Sequence, residues 1–509
     1  MLRRGLVWLL VLLVALGCWP GRAQALITLE EERKIGREAY DEIMAEVPLV
    51  TDPDVVNYVR GIGNRLVAEL ADSPFAYTFN VADSGEMNAF ALPGGYIFFF
   101  RGMITALDSE AELAGIMGHE ISHVSHRHLA HRMENTAPLN AAMLAGMLAG
   151  VLLGAVGGSP QLGQALTFGS LAGGIQGHLA FSREDEEQAD FAGFKLMTGL
   201  GYSGQEMAKS FNRIWQVERI MGAEVPNYLR SHPTSPQRME RMEDMVRHGS
   251  HKPRPYDNTN FMVVKTRLIA LYDSEDAAET QFQRQRRENP QDPMAMYGMA
   301  LLEGRRNRFE QSLAYLKAVE AQWPGKTYVL RAQANAYLRL GEPAKAQSLL
   351  RQVLLAQPQD QVALASLGQA YMQMEHLPEA RQVYERLTTL DPKDHEAMYN
   401  LGVTLGKMGR TSQAALYLGL AFQARGNIRS ARYHLTRATQ APDLSLEEHK
   451  RAEEALAKLD EKDDKRRRQE LEEERRRRDE DTRRREEDNR RQRDPRNPDS
   501  TSRPWFLGR

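Results

Sequence analysis

The sequence contains almost no cysteine, since Cys18 is the only one among 509 residues. A lone cysteine cannot form an intrachain disulfide, even in an oxidising compartment. Neither sign of charge is in clear excess, with 66 lysine and arginine residues against 68 aspartate and glutamate residues. This balance gives no argument for nucleic-acid binding, which a strong excess of basic residues would support.

The amino terminus has the three parts of a secretory signal peptide. A basic start, Met1 to Arg4, precedes an apolar core that is short for a membrane span, and small residues then offer a cleavage site. We expect residues 1–25 to be removed and the mature chain to work outside the cytoplasm. Lipidation of Cys18 stays open as an alternative, although Ala15 stands where a leucine is usual.

The segment His119 to His123, with the sequence H-E-I-S-H, is the motif with the clearest chemical content. Four residues advance a helix by about 400°, so its two histidines lie one turn apart and can bind one metal ion. Glu120 then lies beside the open coordination position, where it can accept a proton from the attacking water. A chance match on a solvated helix is the alternative, but Leu113, Ile116 and Met117 favour a packed helix.

Two histidines leave zinc without its third protein ligand. The compact H-E-x-x-H-x-x-G-x-x-H pattern is absent, because His126 and Leu129 occupy its glycine and histidine positions. A second stretch, Ser182 to Asp190, carries carboxylates at one-turn spacing. Glu186 is the candidate third ligand, and Asp190 can accept a hydrogen bond from a ligand histidine. Taken alone, an acidic run of this kind is more often a solvated helix face.

Together with Asn88 to Gly95, these two motifs resemble peptidase family M48, a family of zinc endopeptidases, over about residues 28–250. The resemblance implies a zincin-like metalloprotease domain over residues 26–255 that is mainly α with a small β-sheet. It also implies one Zn²⁺ per chain, with ligands His119, His123 and Glu186, catalytic residues Glu120 and His232, and supporting residues Asp190 and Arg238.

The segment Ser231 to Arg238 carries a histidine and an arginine around two prolines, which hold the backbone out of a helix. By the resemblance, His232 stabilises the oxyanion or occupies the open zinc position of a resting enzyme. Arg238 would orient the carboxylate ligand or His232 itself, and an ordinary loop is the alternative. For His126, His128 and His131 we expect surface or supporting roles rather than ligation.

Met87 to Arg101 combines a Pro-Gly-Gly turn with the apolar run Tyr96 to Phe100, which predicts a strand, a tight turn and a strand. An extended substrate can add to the edge of such a sheet through backbone hydrogen bonds, without its sequence being recognised. The run Tyr96 to Phe100 is equally consistent with a buried hairpin. The favoured substrate edge is therefore Asn88, Ala89, Phe90, Ala91 and Leu92.

Residues 139–177 form an apolar stretch rich in alanine, glycine, leucine and methionine. Twenty such residues are long enough to cross a bilayer. A single crossing would separate the histidine helix from Glu186, although both must meet at one ion. We therefore expect a lid over the site, or a segment dipping into a membrane interface, rather than a spanning pair.

From about Tyr256 the sequence repeats with a period of 34 residues, which is the tetratricopeptide spacing. Four prolines and five small residues keep this step: Pro290, Pro324, Pro358 and Pro392, and Ala278, Ser312, Ala346, Ala380 and Ala414. We predict an α-solenoid over residues 256–445, ending in an irregular capping unit, whose groove binds segments of other proteins. A purely structural role is the alternative. Residues 446–509, rich in arginine and glutamate, are expected to be a solvated helix or disordered.

The resemblance implies a periplasmic enzyme that degrades misassembled outer-membrane proteins and assists their assembly. Its implied partners are unfolded or misassembled outer-membrane proteins and the outer-membrane β-barrel assembly machinery, with peripheral membrane contact and no nucleic acid. The competing class is a chaperone or scaffold in which the same repeats bind partners and proteolysis is rare or latent.

Overall fold

The structure, a computed structural model, describes residues 27–134, 181–221, 228, 231–233, 235–249 and 252–461, with a few single positions after them. The predicted signal peptide, the apolar stretch 139–177 and most of the charged tail lie outside the described residues. The chain divides into two compact units, with the boundary between Pro324 and Gly325.

The first unit is mainly helical with one small sheet. Its strands are β1 Thr78–Ala82, β2 Ala89–Leu92 and β3 Tyr96–Phe100. Its helices are α1 Leu29–Glu46, α2 Pro53–Ala68, α3 Arg101–Ala106, α4 Glu110–Ser125, α5 His128–Glu134, α6 Arg183–Gly199, α7 Gly204–Met221, α8 Pro236–His248, α9 Thr259–Tyr272, α10 Glu275–Glu288, α11 Pro293–Arg305 and α12 Phe309–Gln322.

The sheet has the strand order β1-β3-β2, with β3 parallel to β1 and antiparallel to β2. The turn between β2 and β3 places Gly94 and Gly95 at φ angles of 79° and 100°, which a residue with a side chain rarely adopts. The predicted strand, turn and strand are confirmed. Tyr96–Phe100 is the central strand and is largely buried, whereas Ala89–Leu92 lies at an edge of the sheet.

The main hydrophobic core lies between this sheet and the helices α2, α4 and α7. It contains Val59 of α2, Phe79 of β1 and Phe211 of α7, all of them buried. Residues 111–124 of α4 are buried throughout, including the apolar positions before the histidine motif. The motif therefore lies on a packed helix, as its flanking residues predict.

The first repeat helices pack against the sheet-containing part of the same unit. The Arg267 guanidinium of α9 donates to both carboxylate oxygens of Asp52, at 2.9 and 2.5 Å, and to the hydroxyl of Tyr297 on α11 at 2.7 Å. Asp52 also caps α2, because its side chain accepts a hydrogen bond from the Val55 N–H. One partly buried cation thus joins α9 and α11 to the start of α2.

The second unit contains further repeat helices: α13 Thr327–Arg339, α14 Pro343–Ala356, α15 Gln361–Gln373, α16 Leu377–Leu390, α17 His395–Lys407, α18 Thr411–Ala424 and α19 Ile428–Thr439. A side chain at Gly402 would meet Leu418 at 2.8 Å, and one at Gly419 would meet Leu435 at 2.7 Å. These glycines therefore allow consecutive helices to cross closely.

The described helices extend past residue 445, where the sequence predicts the end of the repeat domain. A further helical stretch covers residues 446–461, and its Ala452, Ala455 and Leu459 are buried with Leu435 in one hydrophobic cluster. We therefore propose that the repeat domain ends near residue 461. Within the part of the chain that the structure describes, no helix combines the length and apolar composition needed to span a membrane.

Candidate metal centre

Two capped helices supply the candidate ligands. Helix α4 is capped by Ser109, whose side chain accepts a hydrogen bond from the Glu112 N–H, and it carries His119 and His123 one turn apart. Helix α6 begins with a capping box between Ser182 and Asp185 and carries Glu186 in its first turn. The helix dipole stabilises a negatively charged carboxylate at this end of a helix. Both histidines, Glu186 and the following Asp190 are buried.

The helices α4 and α6 cross where Gly118 meets Gly193. A Cβ atom added to Gly193 would lie 2.7 Å from the His119 backbone nitrogen and 2.9 Å from the Gly118 carbonyl carbon. Such distances are too short for any real side chain, so a larger residue would force the helices apart. The close crossing brings Glu186 and Asp190 within reach of His119.

We expect Gly193→Ala to weaken Zn²⁺ binding and to lower the free energy of unfolding by about 1–3 kcal/mol, because the added methyl group overpacks this crossing. Chelator competition measures the zinc affinity, and urea unfolding of the metal-free chain measures the stability. Gly61→Ala is the matched control, since nothing lies within 4 Å of its added Cβ. Equal zinc affinity in the two variants would contradict this account of the crossing.

Four buried side chains converge on one point: His119, His123, Glu186 and His232 each bring one candidate ligand atom within 4.8 Å of the others. His119 Nε2 is 3.0 Å from His123 Nε2 and 3.2 Å from His232 Nδ1. The Glu186 carboxylate oxygens lie 3.5 Å from Nε2 of both His119 and His123. Donors on a tetrahedral zinc ion, bound at about 2.0–2.1 Å, are about 3.3 Å apart. The separations and the imidazole–carboxylate donor set therefore fit a metal ion.

Asp190 holds the far side of His119. Its Oδ1 lies 2.9 Å from His119 Nδ1, so the Nδ1–H donates to the carboxylate and leaves Nε2 free to face the cluster. Arg238 of α8 donates to Asp190 through Nε at 2.6 Å and through Nη2 at 2.7 Å. The predicted hydrogen bond between Asp190 and a ligand histidine is therefore present in the geometry.

Arg238 also contacts Glu186 through Nη1, so one buried guanidinium faces two buried carboxylates. Burial alone would raise the pKa of Glu186, but Arg238, His232 and His119 outweigh it and hold that pKa well below its usual value. The pKa of Asp190 is lowered in the same way by Arg238 and His119, against burial. Both carboxylates are therefore ionised at neutral pH, as ligation and hydrogen-bond acceptance require.

Glu120 lies beside the cluster with its carboxylate unsatisfied. The residue is 1 % exposed, and among the described residues neither carboxylate oxygen accepts a hydrogen bond. A basic group beside it is His232, whose Nε2 is 3.6 Å from Glu120 Oε1. A buried carboxylate without a hydrogen bond is costly and therefore uncommon. Its position suits a base whose partner is a water molecule.

His232 takes the fourth place in the cluster. Its Nδ1 lies 2.9 Å from Glu186 Oε1, and the ring stacks on Tyr228 with 4.6 Å between ring centroids. The Phe181 ring lies against two of these histidines, with its centroid 3.9 Å from that of His123 and 5.0 Å from that of His232. Burial opposes protonation of His232, but Glu120 and Glu186 raise its pKa above the usual value. Burial lowers the pKa of His123 well below its usual value, which keeps that ring neutral.

The predicted substrate edge packs against helix α4. The carbonyl of Asn88 accepts from the Phe100 N–H at 3.0 Å, and β2 contacts α4, the helix that carries both histidines. Ala89, Phe90 and Leu92 are buried, while Ala91 is partly exposed. A substrate-binding role for Asn88–Leu92 stays a prediction.

Two aromatic residues at the centre, Phe181 and Tyr228, are not predicted by the sequence patterns. No spacing rule connects Phe181 or Tyr228 with the histidine motif, because both reach it from other segments of the chain. His128, for which the sequence predicts a surface or supporting role, lies 2.9 Å from His123, between their Nδ1 atoms. His126 instead donates from its Nδ1 to the Ser122 carbonyl at 2.9 Å.

Comparison with known proteins gives matches in both parts of the chain. Residues 54–246 match the model of peptidase family M48, and residues 276–327, 305–370 and 337–403 match tetratricopeptide repeat models. The beta-barrel assembly-enhancing protease of Yersinia pestis is 27% identical over 349 residues, which cover 68% of this chain and 71% of that protein.

Two further relatives match shorter stretches. The beta-barrel assembly-enhancing protease of Escherichia coli K12 is 27% identical over 321 residues, covering 60% of this chain and 63% of its own length. The mitochondrial metalloendopeptidase OMA1 of Schizosaccharomyces pombe is 28% identical over 224 residues, covering 43% of this chain and 62% of its own. In both cases the match spans less than two thirds of the relative. The chain therefore joins a metallopeptidase domain of family M48 to a series of tetratricopeptide repeats.

Proposed function

We propose that this protein is a zinc-dependent endopeptidase with one Zn²⁺ per chain, held by His119, His123 and Glu186. The observation that carries the proposal is the buried four-residue cluster beside the unsatisfied carboxylate of Glu120. Bound zinc would polarise the scissile carbonyl and make the attacking water more acidic. Glu120 would accept the proton of that water and then give it to the leaving amine.

The residues around the ligands would keep the site charged and oriented. Asp190 would fix the tautomer of His119, and Arg238 would hold Asp190 and Glu186 in their ionised forms. Removing Asp190 would free the His119 ring from this hydrogen bond, and removing Arg238 would leave both carboxylates without their shared cation.

We propose that His232 closes the centre in a resting state. Four protein ligands are typical of structural zinc sites, whereas catalytic sites keep one position for water or substrate. His232 Nδ1 fills that fourth place among the described atoms, so it would have to move before hydrolysis. Its ring could then face the oxyanion of the transition state.

The closed arrangement also favours a second candidate function. A centre filled by His119, His123, Glu186 and His232 suits a binding protein whose proteolysis is latent. In that case the repeats would act as a chaperone or scaffold, and cleavage would occur only when His232 is displaced. The two functions differ in how often His232 leaves the fourth position of the centre.

We further propose that the substrates are unfolded or misassembled outer-membrane proteins, that the enzyme also assists their assembly, and that it works in the periplasm. The names of the bacterial relatives support the connection with β-barrel assembly, and the signal-like sequence of residues 1–25 supports export. The repeats would bind substrates or the outer-membrane β-barrel assembly machinery, and β2 would bind the extended substrate next to α4.

Incubation of the zinc-loaded full chain with an outer-membrane β-barrel protein tests this function. We expect fragments from the urea-unfolded substrate and none from the same substrate folded in detergent, because only an extended segment can add to β2. Mass spectrometry identifies the cleavage sites. A zinc chelator should stop cleavage, and added Zn²⁺ should restore it. Absence of fragments under all conditions would contradict the endopeptidase proposal.

A further inference from the structure

A second buried histidine contacts one of the candidate ligands. The Nδ1 atom of His128 lies 2.9 Å from the Nδ1 atom of His123, on the side of the His123 ring away from the cluster. Both rings are buried, at 2 % and 3 % exposure. Two ring nitrogens at this distance share one proton, so one of them donates and the other accepts.

The groups on the far side of His128 fix the direction of that hydrogen bond. His128 Nε2 lies 3.1 Å from Gln188 Oε1 and 3.9 Å from Asp185 Oδ1. The amide oxygen of Gln188 only accepts hydrogen bonds, so at this distance it favours a proton on His128 Nε2. The neutral His128 ring then has its lone pair on Nδ1 and accepts from the His123 Nδ1–H. The tautomer of His123 that results has Nε2 free to face the cluster.

The backbone places His128 by an unusual conformation. Helix α4 ends at Ser125, and Arg127 then adopts a φ of 56°, a left-handed value that residues with a side chain seldom adopt. The Arg127 side chain secures this turn, because its Nε is 2.6 Å from Oε2 of the buried Glu32 and its Nη2 donates to the Ile27 carbonyl at 2.6 Å. The turn brings the next residue, His128, back against α4.

We infer that His128 is a positioning residue for the metal centre, which fixes the tautomer and ring orientation of His123 as Asp190 does for His119. The inference rests on the proposed zinc site and deepens it, but it does not depend on the substrate. Among the described residues, His126 makes its hydrogen bonds with the Ser122 carbonyl and the Ser125 hydroxyl, and none with a candidate ligand.

Two replacements of His128 separate hydrogen-bond acceptance from packing. His128→Asn keeps an acceptor, Oδ1, at the position of Nδ1, whereas His128→Phe keeps a ring of similar shape without an acceptor. We expect His128→Phe to raise the Kd for Zn²⁺ by about 10–100-fold, the usual cost of losing such a partner. His128→Asn should retain most of the wild-type affinity, and His126→Asn should be unchanged.

The measurement is Zn²⁺ binding to the full chain in competition with a chelator, with thermal unfolding of each metal-free variant to show that it folds. Wild-type affinity in His128→Phe would overturn the inference. So would a loss in His128→Asn as large as that in His128→Phe, because the role would then be packing. A wild-type chain that binds no Zn²⁺ would overturn the proposed zinc site and this inference with it, which distinguishes that failure from the other two.

Discussion

Replacing Glu120 by glutamine is expected to lower the rate of peptide-bond cleavage by about 10²–10⁴-fold, the usual contribution of a general base, without removing the metal. Glutamine keeps the size of the side chain but cannot accept the proton of the attacking water. The native carboxylate is buried and accepts no hydrogen bond from any described residue, so the variant loses no such contact. Stability should therefore be kept or slightly increased.

Glu187→Gln is the control for this experiment. Glu187 lies on α6 beside the candidate ligand Glu186, but it is 44 % exposed in its side chain and pairs with Arg241 at 2.8 Å. We expect wild-type cleavage in this control. Cleavage by Glu120→Gln at the rate of the control, with equal metal content, would show that another group is the base.

The same variant separates the two candidate functions. If the protein both cleaves and supports assembly, cells carrying Glu120→Gln should keep assembly support while stalled precursors accumulate. If binding alone matters, precursor levels in those cells should match the wild type. Immunoblotting of the precursor and folded forms of one outer-membrane protein gives both quantities.

Replacing Arg238 by methionine is expected to destabilise the metal-free chain by about 3–5 kcal/mol. Methionine fills much of the same volume but leaves Glu186 and Asp190 as buried carboxylates without their shared cation. Breaking a buried ion pair in this way costs more than the pair itself contributes, because the remaining charges stay out of water. Urea unfolding measures the change.

The matched control is Arg241→Met on the same helix. Arg241 lies three residues further along α8, and its ion pair with Glu187 is exposed on both sides, at 46 % and 44 %. An exposed ion pair of this kind contributes at most about 1 kcal/mol to the free energy of unfolding. Equal destabilisation by the two variants would contradict the assigned role of Arg238.

The effect of Arg238→Met should depend on pH. In the wild type, burial raises the pKa values of Glu186 and Asp190 but Arg238 outweighs it, so both folded-state values lie below the unfolded values of about 4.3 and 3.9. The two carboxylates therefore stabilise the fold at pH values above their unfolded-state pKa values. This stabilisation is lost as pH falls through their lower folded-state pKa values. In the variant, burial would raise both pKa values and favour protonation. The difference in free energy of unfolding between the wild type and Arg238→Met should therefore become smaller as pH falls.

Much of the metal centre follows from sequence spacing. One-turn spacing predicts that His119 and His123 share a helix face, and the capped acidic stretch predicts that Glu186 and Asp190 follow one another on a second helix. The 34-residue step predicts the repeat helices, because a small residue recurs at the same position of each repeat. Ala346 and Ala380, for example, are fully buried.

Other contacts depend on distances that no local pattern contains. The sequence left open whether Arg238 orients the carboxylate ligand or His232, and the structure places its guanidinium between Glu186 and Asp190. Its position depends on how α8 packs against α6. Likewise, His128 reaches His123 only because Arg127 leaves the helical conformation, which helix periodicity does not predict.

The metal content of the purified full chain tests the central claim most directly, by elemental analysis of the wild type, His119→Ala, Glu186→Ala and Glu187→Gln. We predict one zinc per chain in the wild type and in Glu187→Gln, and loss of zinc from the other two. Loss is expected even though three histidines remain in Glu186→Ala, because Arg238 would then face the cation without the Glu186 carboxylate between them. Full zinc content in Glu186→Ala would contradict a centre assembled from these two helices, as would a wild-type chain without zinc.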